Sequence, residues 1–236
     1  DQYTALYADA RLWLRQGWCD YFTPQLYWRI GQTAQSYPRL LAWWVEQNLQ
    51  GRHVWPGNFT GLVGKKAHWT PQEIVDQITL TRQQSGAGGN VHFSMVALMQ
   101  NREGICDVLQ AGPYARRALV PASPWLSAGG APAAPRVRIR RRLFGGHTVA
   151  WTAPDDDPPS AWVVFRHVNG AWDWDVLPGN GHAEHRLRRP ERVAVVAVAA
   201  VNRTGTMGEP TVLPVGWRGR KVLRTLAQPF PRVAPA

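Results

Sequence analysis

Cysteine is nearly absent: Cys19 and Cys106 are the only two in 236 residues. Two thiols build neither a disulfide framework nor a zinc site. Both lie in apolar stretches that read as buried free thiols, which leaves the redox compartment open. Lysine is almost as scarce, with only Lys65, Lys66 and Lys221. No apolar run approaches about 18 residues, which excludes a membrane-spanning helix. HExxH, a Walker loop and the Rossmann glycine pattern are missing, and Ser94 stands in no GxSxG. Neither a metal nor a cofactor is expected. The opening DQYTALYADARLWLRQ has no initiator Met, basic leader or small-residue cleavage site, and reads as a cut through a longer protein.

What is present suits a folded chain: 44% hydrophobic and 18% charged residues at a length of one large or two smaller domains. The formal charge of +11 is uneven. Residues 1–112 carry nine Lys/Arg against eight Asp/Glu, whereas residues 113–236 carry eighteen against eight. A basic half of this kind meets polyanions, or else is a solvated surface from an Arg-rich proteome.

The first half alternates helix and strand. Tyr3, Leu6, Tyr7, Ala10, Trp13 and Leu14 recur at spacings of three and four, predicting one amphipathic helix ended by Gly17. Residues 19–28, CDYFTPQLYW, read as a buried strand. Pro38 and LLAWWVEQNL give a helix closed by Gly51, and HVWPGNF at 53–59 gives the next strand. Thr70-Pro71-Gln72-Glu73 reads as an N-cap, a first-turn Pro and a capping-box Glu for a helix reaching Gln84. VHFS at 91–94 is a third strand, followed by a helix near Met95–Met99. Three such βα units predict part of a parallel sheet with an unpaired edge. Residues 113–134 are rich in Pro, Ala and Gly and read as a linker. Seven short strands then follow, at 137–143, 148–152, 161–168, 172–177, 184–187, 192–202 and 211–215, the pattern of an Ig-like or fibronectin-like sandwich over 135–216. Residues 217–236 read as a basic tail.

DYFTPQLYW, LLAWWVEQ, RHVWPGNF, GNVHFSMVALMQNREGI and YARRALVPASPW resemble, in order, the final part of the glycosyl hydrolase-like 10 family. The resemblance covers about residues 1–126. It implies a bacterial cell-envelope protein, periplasmic or secreted, with a (β/α)₈ TIM-type barrel, and a family in which some members cleave peptidoglycan glycan strands lacking stem peptides. Residues 1–112 would be the last three βα units of an incomplete barrel. Strands one to five, where the family's catalytic carboxylates are expected, would lie upstream. AWVVFRH and AVAAVNRTGTMGEP carry a second likeness, to the fibronectin type III-like domain that often follows such barrels.

In such a barrel the site is built at the C-terminal ends of the strands. Strand alternation makes Gln25, Tyr27, Trp28, Asn58, His92 and Ser94 candidates for lining a sugar cleft, because amides, hydroxyls and aromatic faces match the polar and C–H faces of sugars. The competing reading makes Gln25 and Tyr27 packed barrel-interior residues and His92 a structural histidine. Trp43 and Trp44 read as helix packing. Glycoside hydrolysis needs two carboxyl groups about 5 to 9.5 Å apart. Asp20, Glu46, Glu73, Asp76, Glu103 and Asp107 offer no such pair, so no catalytic residue is assigned and the chain alone is expected to be inactive.

Arg136, Arg138, Arg140, Arg141 and Arg142 form a basic run, in which Arg138, Arg140 and Arg142 would share one strand face as a polyanion-binding stripe, with Arg186, Arg188 and Arg189 nearby. No recognition-helix or RNP pattern accompanies it, which argues against nucleic acid. Asp155-Asp156-Asp157 lacks the alternating ligand spacing of a calcium loop. The expected partners are cell-wall glycan and the upstream part of the chain's own barrel. The rival reading is a non-catalytic glycan- or polyanion-binding module.

Overall fold

A computed structural model describes residues 2–126, 130–143, 146–153, 158–179, 184–187 and 192–226. The chain divides between Arg116 and Arg117 into two units, each with its own core.

The first unit opens with two helices, α1 (Gln2–Leu6) and α2 (Ala10–Gln16), where the periodicity suggests one. Tyr7 adopts φ 50°, and Asp9 starts a new helix by accepting from Leu12 N at 2.8 Å. Of the six residues of the expected face only Leu14 is buried. Gly17, in the left-handed region, closes α2.

The expected strands are shorter than their apolar runs. In 19–28 only β1 (Tyr21–Phe22) pairs regularly, with a single further bridge from Gln25 to Gly57, because Pro24 has no N–H for a ladder. α3 (Tyr37–Gln47) follows and ends at Asn48 rather than at Gly51. The run 53–59 is split at Pro56 into β2 (His53–Val54) and β3 (Gly57–Asn58). α4 (Pro71–Gln83), β4 (Val91–His92), α5 (Met95–Met99) and α6 (Ile105–Ala111) complete the unit. Thr70 Oγ1 caps α4 by accepting from Glu73 N at 3.3 Å. The Glu73 carboxylate does not close the expected box. It accepts from Ile30 N at 2.8 Å and Gln77 Nε2 at 2.9 Å, tying the loop after β1 to α4.

β1 runs parallel to β2, and β3 parallel to β4, so segments 21–25, 53–58 and 87–92 lie side by side in chain order with α3 and α4 crossing between them. Val54 pairs with Ala87 but Gly57 with Val91, so the third segment holds one extra residue, a bulge. Among the described residues this is an open parallel arrangement. Helices cover one face, where Leu26, Tyr37 and Leu41 are fully buried, each contributing roughly 1.5–3 kcal/mol by removal from water.

The second unit holds the seven strands read from the sequence: β5 (Arg136–Arg141), β6 (His147–Thr152), β7 (Ala161–Val168), β8 (Ala171–Pro178), β9 (Glu184–Leu187), β10 (Val193–Val201) and β11 (Thr211–Pro214). They form antiparallel sheets in the orders β5-β6-β9 and β11-β10-β7-β8. Val149, Trp151 and Leu187 of one sheet share a buried core with Trp162, Val164, Val196 and Val198 of the other, which makes a β-sandwich. Trp151 and Trp162 meet edge-to-face at 6.1 Å. The outer face of the four-stranded sheet is covered too, with Val163, Phe165, Ala197 and Ala199 packing against Leu119 and Met207. That double burial explains why β10 reads VAVVAVAAV without alternation.

The Pro/Ala-rich segment is engaged from Arg117 onward. Leu119 enters the core, Ser123 N donates to Thr204 O at 2.7 Å, and Thr211 Oγ1 donates to Pro135 O. The expected basic tail contains a helix, α7 (Gly216–Thr225), packed on β10 and β11. Its Gly219 fits because a Cβ there would lie 2.1 Å from Ala194 O. Asp155–Asp157, Arg188 and Arg189 lie outside the described residues.

Candidate functional site

Register decides which side chains meet at the C-terminal ends of the parallel segments. Gln25 pairs with Gly57 and Gly57 with Val91, so these three occupy one row on one face. Two residues further on, Tyr27, Phe59 and Phe93 cluster, with ring centroids 4.6 Å (Tyr27–Phe59), 5.5 Å (Tyr27–Phe93) and 5.7 Å (Phe59–Phe93) apart. Tyr27 and Phe93 stack, and Phe93 is half exposed. Toward the other end of the same face Trp55 stacks on Tyr21 at 4.9 Å and on His53 at 5.1 Å. This side of the sheet is aromatic and partly open to solvent, with Gln25 exposed upon it. Burial raises the Tyr27 phenol above its ordinary value.

Asn58 and His92 pair with each other one residue out of phase with that row, so they occupy the opposite, helix-covered face with Leu26. The set expected from sequence therefore mixes two faces. Asn58 is fully buried and its amide is engaged. Nδ2 donates to Gln77 Oε1 at 2.8 Å and Tyr37 Oη at 3.2 Å, and Oδ1 accepts from Asn90 Nδ2 at 2.9 Å. Thr81 donates its proton to Gln77 O, so Tyr37 donates to Thr81 Oγ1 at 2.8 Å. Burial pushes the Tyr37 phenol up to about 12, keeping that donor protonated. This network fastens α3 and α4 to the strands and leaves Asn58 no free group for a sugar.

His92 is held at both ring nitrogens, Nδ1 by Thr60 Oγ1 at 2.7 Å and Nε2 by Tyr114 Oη at 2.8 Å, with the Arg82 guanidinium 5.9 Å from the Tyr114 ring centre. Burial lowers its pKa below the ordinary imidazole value, favouring the neutral ring. Ser94 stands at the start of α5, half-buried, and its side chain makes no capping hydrogen bond. Trp28 is half-buried. Its carbonyl accepts from Gln77 Nε2 at 3.2 Å, and it borders with Gln25, Phe22, Thr23, Trp43 and Trp44 a cleft of about 830 Å³.

Four of the first unit's carboxylates serve local structure. Glu73 anchors Ile30, Asp76 accepts from Gln72 Nε2, Asp107 accepts from Asn101 Nδ2 and Asp9 caps α2. Glu103 is exposed at φ 48°. Among the described residues no three His, Cys, Asp or Glu side chains are grouped to hold a metal ion, and no helix is long and apolar enough to cross a membrane.

In the second unit the arginine run lies on β5, with Val137 and Ile139 turned to the core and Arg136, Arg138 and Arg140 exposed on the other side. Arg142 falls beyond the end of β5, so Arg136 takes the third place expected for it. Phe59, Phe93 and Trp55 were not among the sequence candidates. Apolar residues in strands suggest burial, and parity alone does not tell which face is covered.

No family model matches the chain. It is 40% identical over 129 residues to a Bacillus subtilis protein named glycosyl hydrolase YngK, a match covering 52% of this chain and 25% of that protein. It is 43% identical over 44 residues to the Escherichia coli protein named glycosyl hydrolase DigH, covering 19% of this chain and 10% of that protein. The chain thus spans a quarter or less of these relatives, and it is related to proteins that carry glycosyl hydrolase names. Among solved structures a myokine is 17% identical at TM-score 0.29, covering 36% of this chain and 98% of that one. An FN3 domain of human collagen XX is 20% identical at TM-score 0.28, covering 38% and 100%. Likenesses at these scores decide nothing about the fold, which the strand register establishes alone.

Proposed function

We propose that this chain is the C-terminal part of a glycoside hydrolase acting on amino-sugar glycan strands of the peptidoglycan type, in the bacterial cell envelope. The first unit would supply the last βα units of a (β/α)₈ barrel and one wall of the cleft, and the second a fibronectin type III-like domain. The observation that carries the reading is the 40% identity to a relative named glycosyl hydrolase. Two structural features support it. Parallel segments joined by helices are the kind of unit that such a barrel repeats, and parallel sheets are ordinarily covered on both faces, whereas here the face bearing Gln25, Tyr27, Val91 and Phe93 is partly exposed. Further barrel strands would enclose that face and leave Tyr27, Phe59 and Phe93 at the mouth, where aromatic rings bind sugar C–H faces. Catalytic carboxylates would come from upstream strands. The chemistry they would perform is protonation of the glycosidic oxygen by one carboxyl while the other attacks or activates water.

The test is release of reducing ends from peptide-free glycan strands. The 236-residue chain alone is expected to show none, and a version with upstream barrel strands fused ahead of it to show turnover that Tyr27→Ala reduces. Turnover by the chain alone overturns the split-site reading. Absence of turnover from the completed barrel on any amino-sugar glycan overturns the substrate class.

A further inference from the structure

We propose that the solvent face of the three-stranded sheet is a docking surface for a linear polyol phosphate polymer, a phosphodiester chain without bases, gripped by Arg136, Arg138, Arg140 and Arg186. This goes beyond the hydrolase reading, because it rests on the second unit alone. Antiparallel register sets Arg140 beside Thr148 and Thr148 beside Arg186, so one row across the sheet carries a guanidinium at each side of a short hydroxyl side chain. Along β5 the three arginines recur every second residue, roughly 6.8 Å apart, on the side opposite Val137 and Ile139. Leu187 is buried in the core, which turns its neighbour Arg186 outward, where it is exposed. Among the described residues none of the four makes a salt bridge, and Glu184 is the one carboxylate that the register places on this face.

The chemistry of the partner follows from this pattern. Regularly repeated guanidinium forks match singly charged groups that each present two oxygens and repeat along a chain. A phosphodiester polymer has that form. Thr148, Ala150 and Thr152 between the strands are short, so a chain can lie flush on the sheet. They also provide no aromatic or long aliphatic anchor, which argues against insertion into a lipid surface.

The experiment is fluorescence anisotropy of labelled poly(glycerol phosphate) with the whole chain between 50 and 200 mM salt. Four contacts predict a log–log salt slope of magnitude about 2.8. Arg138→Ser with Arg140→Ser is expected to weaken binding at least tenfold and to reduce the slope by about 1.4. Arg138→Lys with Arg140→Lys is expected to keep the slope while losing affinity severalfold, which holds the test open should the serine pair fail to fold. Arg218→Ser with Arg224→Ser, on the equally basic α7, is expected to stay within twofold. The proposal is overturned by no binding at 50 mM salt, by binding that survives the stripe substitutions, by an equal loss from the α7 pair, or by oligogalacturonate of matched charge binding as tightly.

Discussion

Asn58 donates its Nδ2 to Gln77 Oε1 across 2.8 Å, and neither side chain has any exposed surface. The pair joins the strand layer to α4, and through Tyr37 it reaches α3. Replacing Asn58 with Leu removes both halves of the amide while Gln77, Tyr37 and Asn90 keep groups that need partners. A buried polar group left unpaired costs about 1–3 kcal/mol, and a network costs more than one bond. The expected loss is about 2–4 kcal/mol, read as a lower urea midpoint at unchanged slope.

His92 gives a pH signature. Burial holds its pKa below the ordinary 6.5 in the folded state, so the unfolded chain binds the proton more readily. Its contribution to stability is fully present above about pH 6.5 and is lost as pH falls from there through the folded value. His53, also lowered by burial, adds a change of the same sign. Comparing wild type with His92→Asn over pH 7.5 to 5 should show a shallower decline in the variant. An unchanged decline would assign the effect to other groups.

Gly219 tests two opposed effects. Alanine is about 1 kcal/mol better than glycine inside a helix. At this position, however, the added Cβ would lie 2.1 Å from Ala194 O, closer than any contact allows. Steric exclusion wins, because the obstructing atom is backbone. Gly219→Ala is expected to lower stability by about 1–3 kcal/mol and to raise amide exchange in 216–225.

Arg166 bridges Asp173 at 3.0 Å and Asp175 at 2.9 Å, and lies 3.3 Å from His185 Nε2 on the opposing sheet. Its side chain is largely buried, while both aspartates are more than a third exposed, so solvent screens part of the attraction. Arg166→Met leaves two carboxylates facing each other without their cation. The expected cost is about 1–3 kcal/mol. Urea denaturation of the wild type and the variant checks this, and an unchanged midpoint would show that the pair contributes nothing.

Much of the second unit was legible because half-buried antiparallel strands alternate and turn residues punctuate them. The seven segments expected there are the seven observed, and Trp151 and Trp162 do pack in its core. In the first unit the helices were more legible than the strands. Thr70-Pro71 starts α4 and Pro38 lies in the first turn of α3, since caps and prolines act within a single turn of backbone. The site was legible only as residue types. Alternation groups Gln25 with Tyr27 and Val91 with Phe93, yet which group faces which follows from pairing Gln25 with Gly57 and Gly57 with Val91.

The chain by itself determined its two-part organisation of local elements, the identity of its apolar runs and the concentration of arginine in its second half, because these depend on periodicity, turn chemistry and counting. Tertiary structure decided the rest. It set Asn58 and His92 on the helix-covered face and Tyr27 and Phe93 on the other, moved Glu73 from its own cap to the Ile30 amide, and brought Arg186 into line with Arg140. Each depends on which backbone lies beside which, and strand register is a property of long-range pairing that no local run of residues contains.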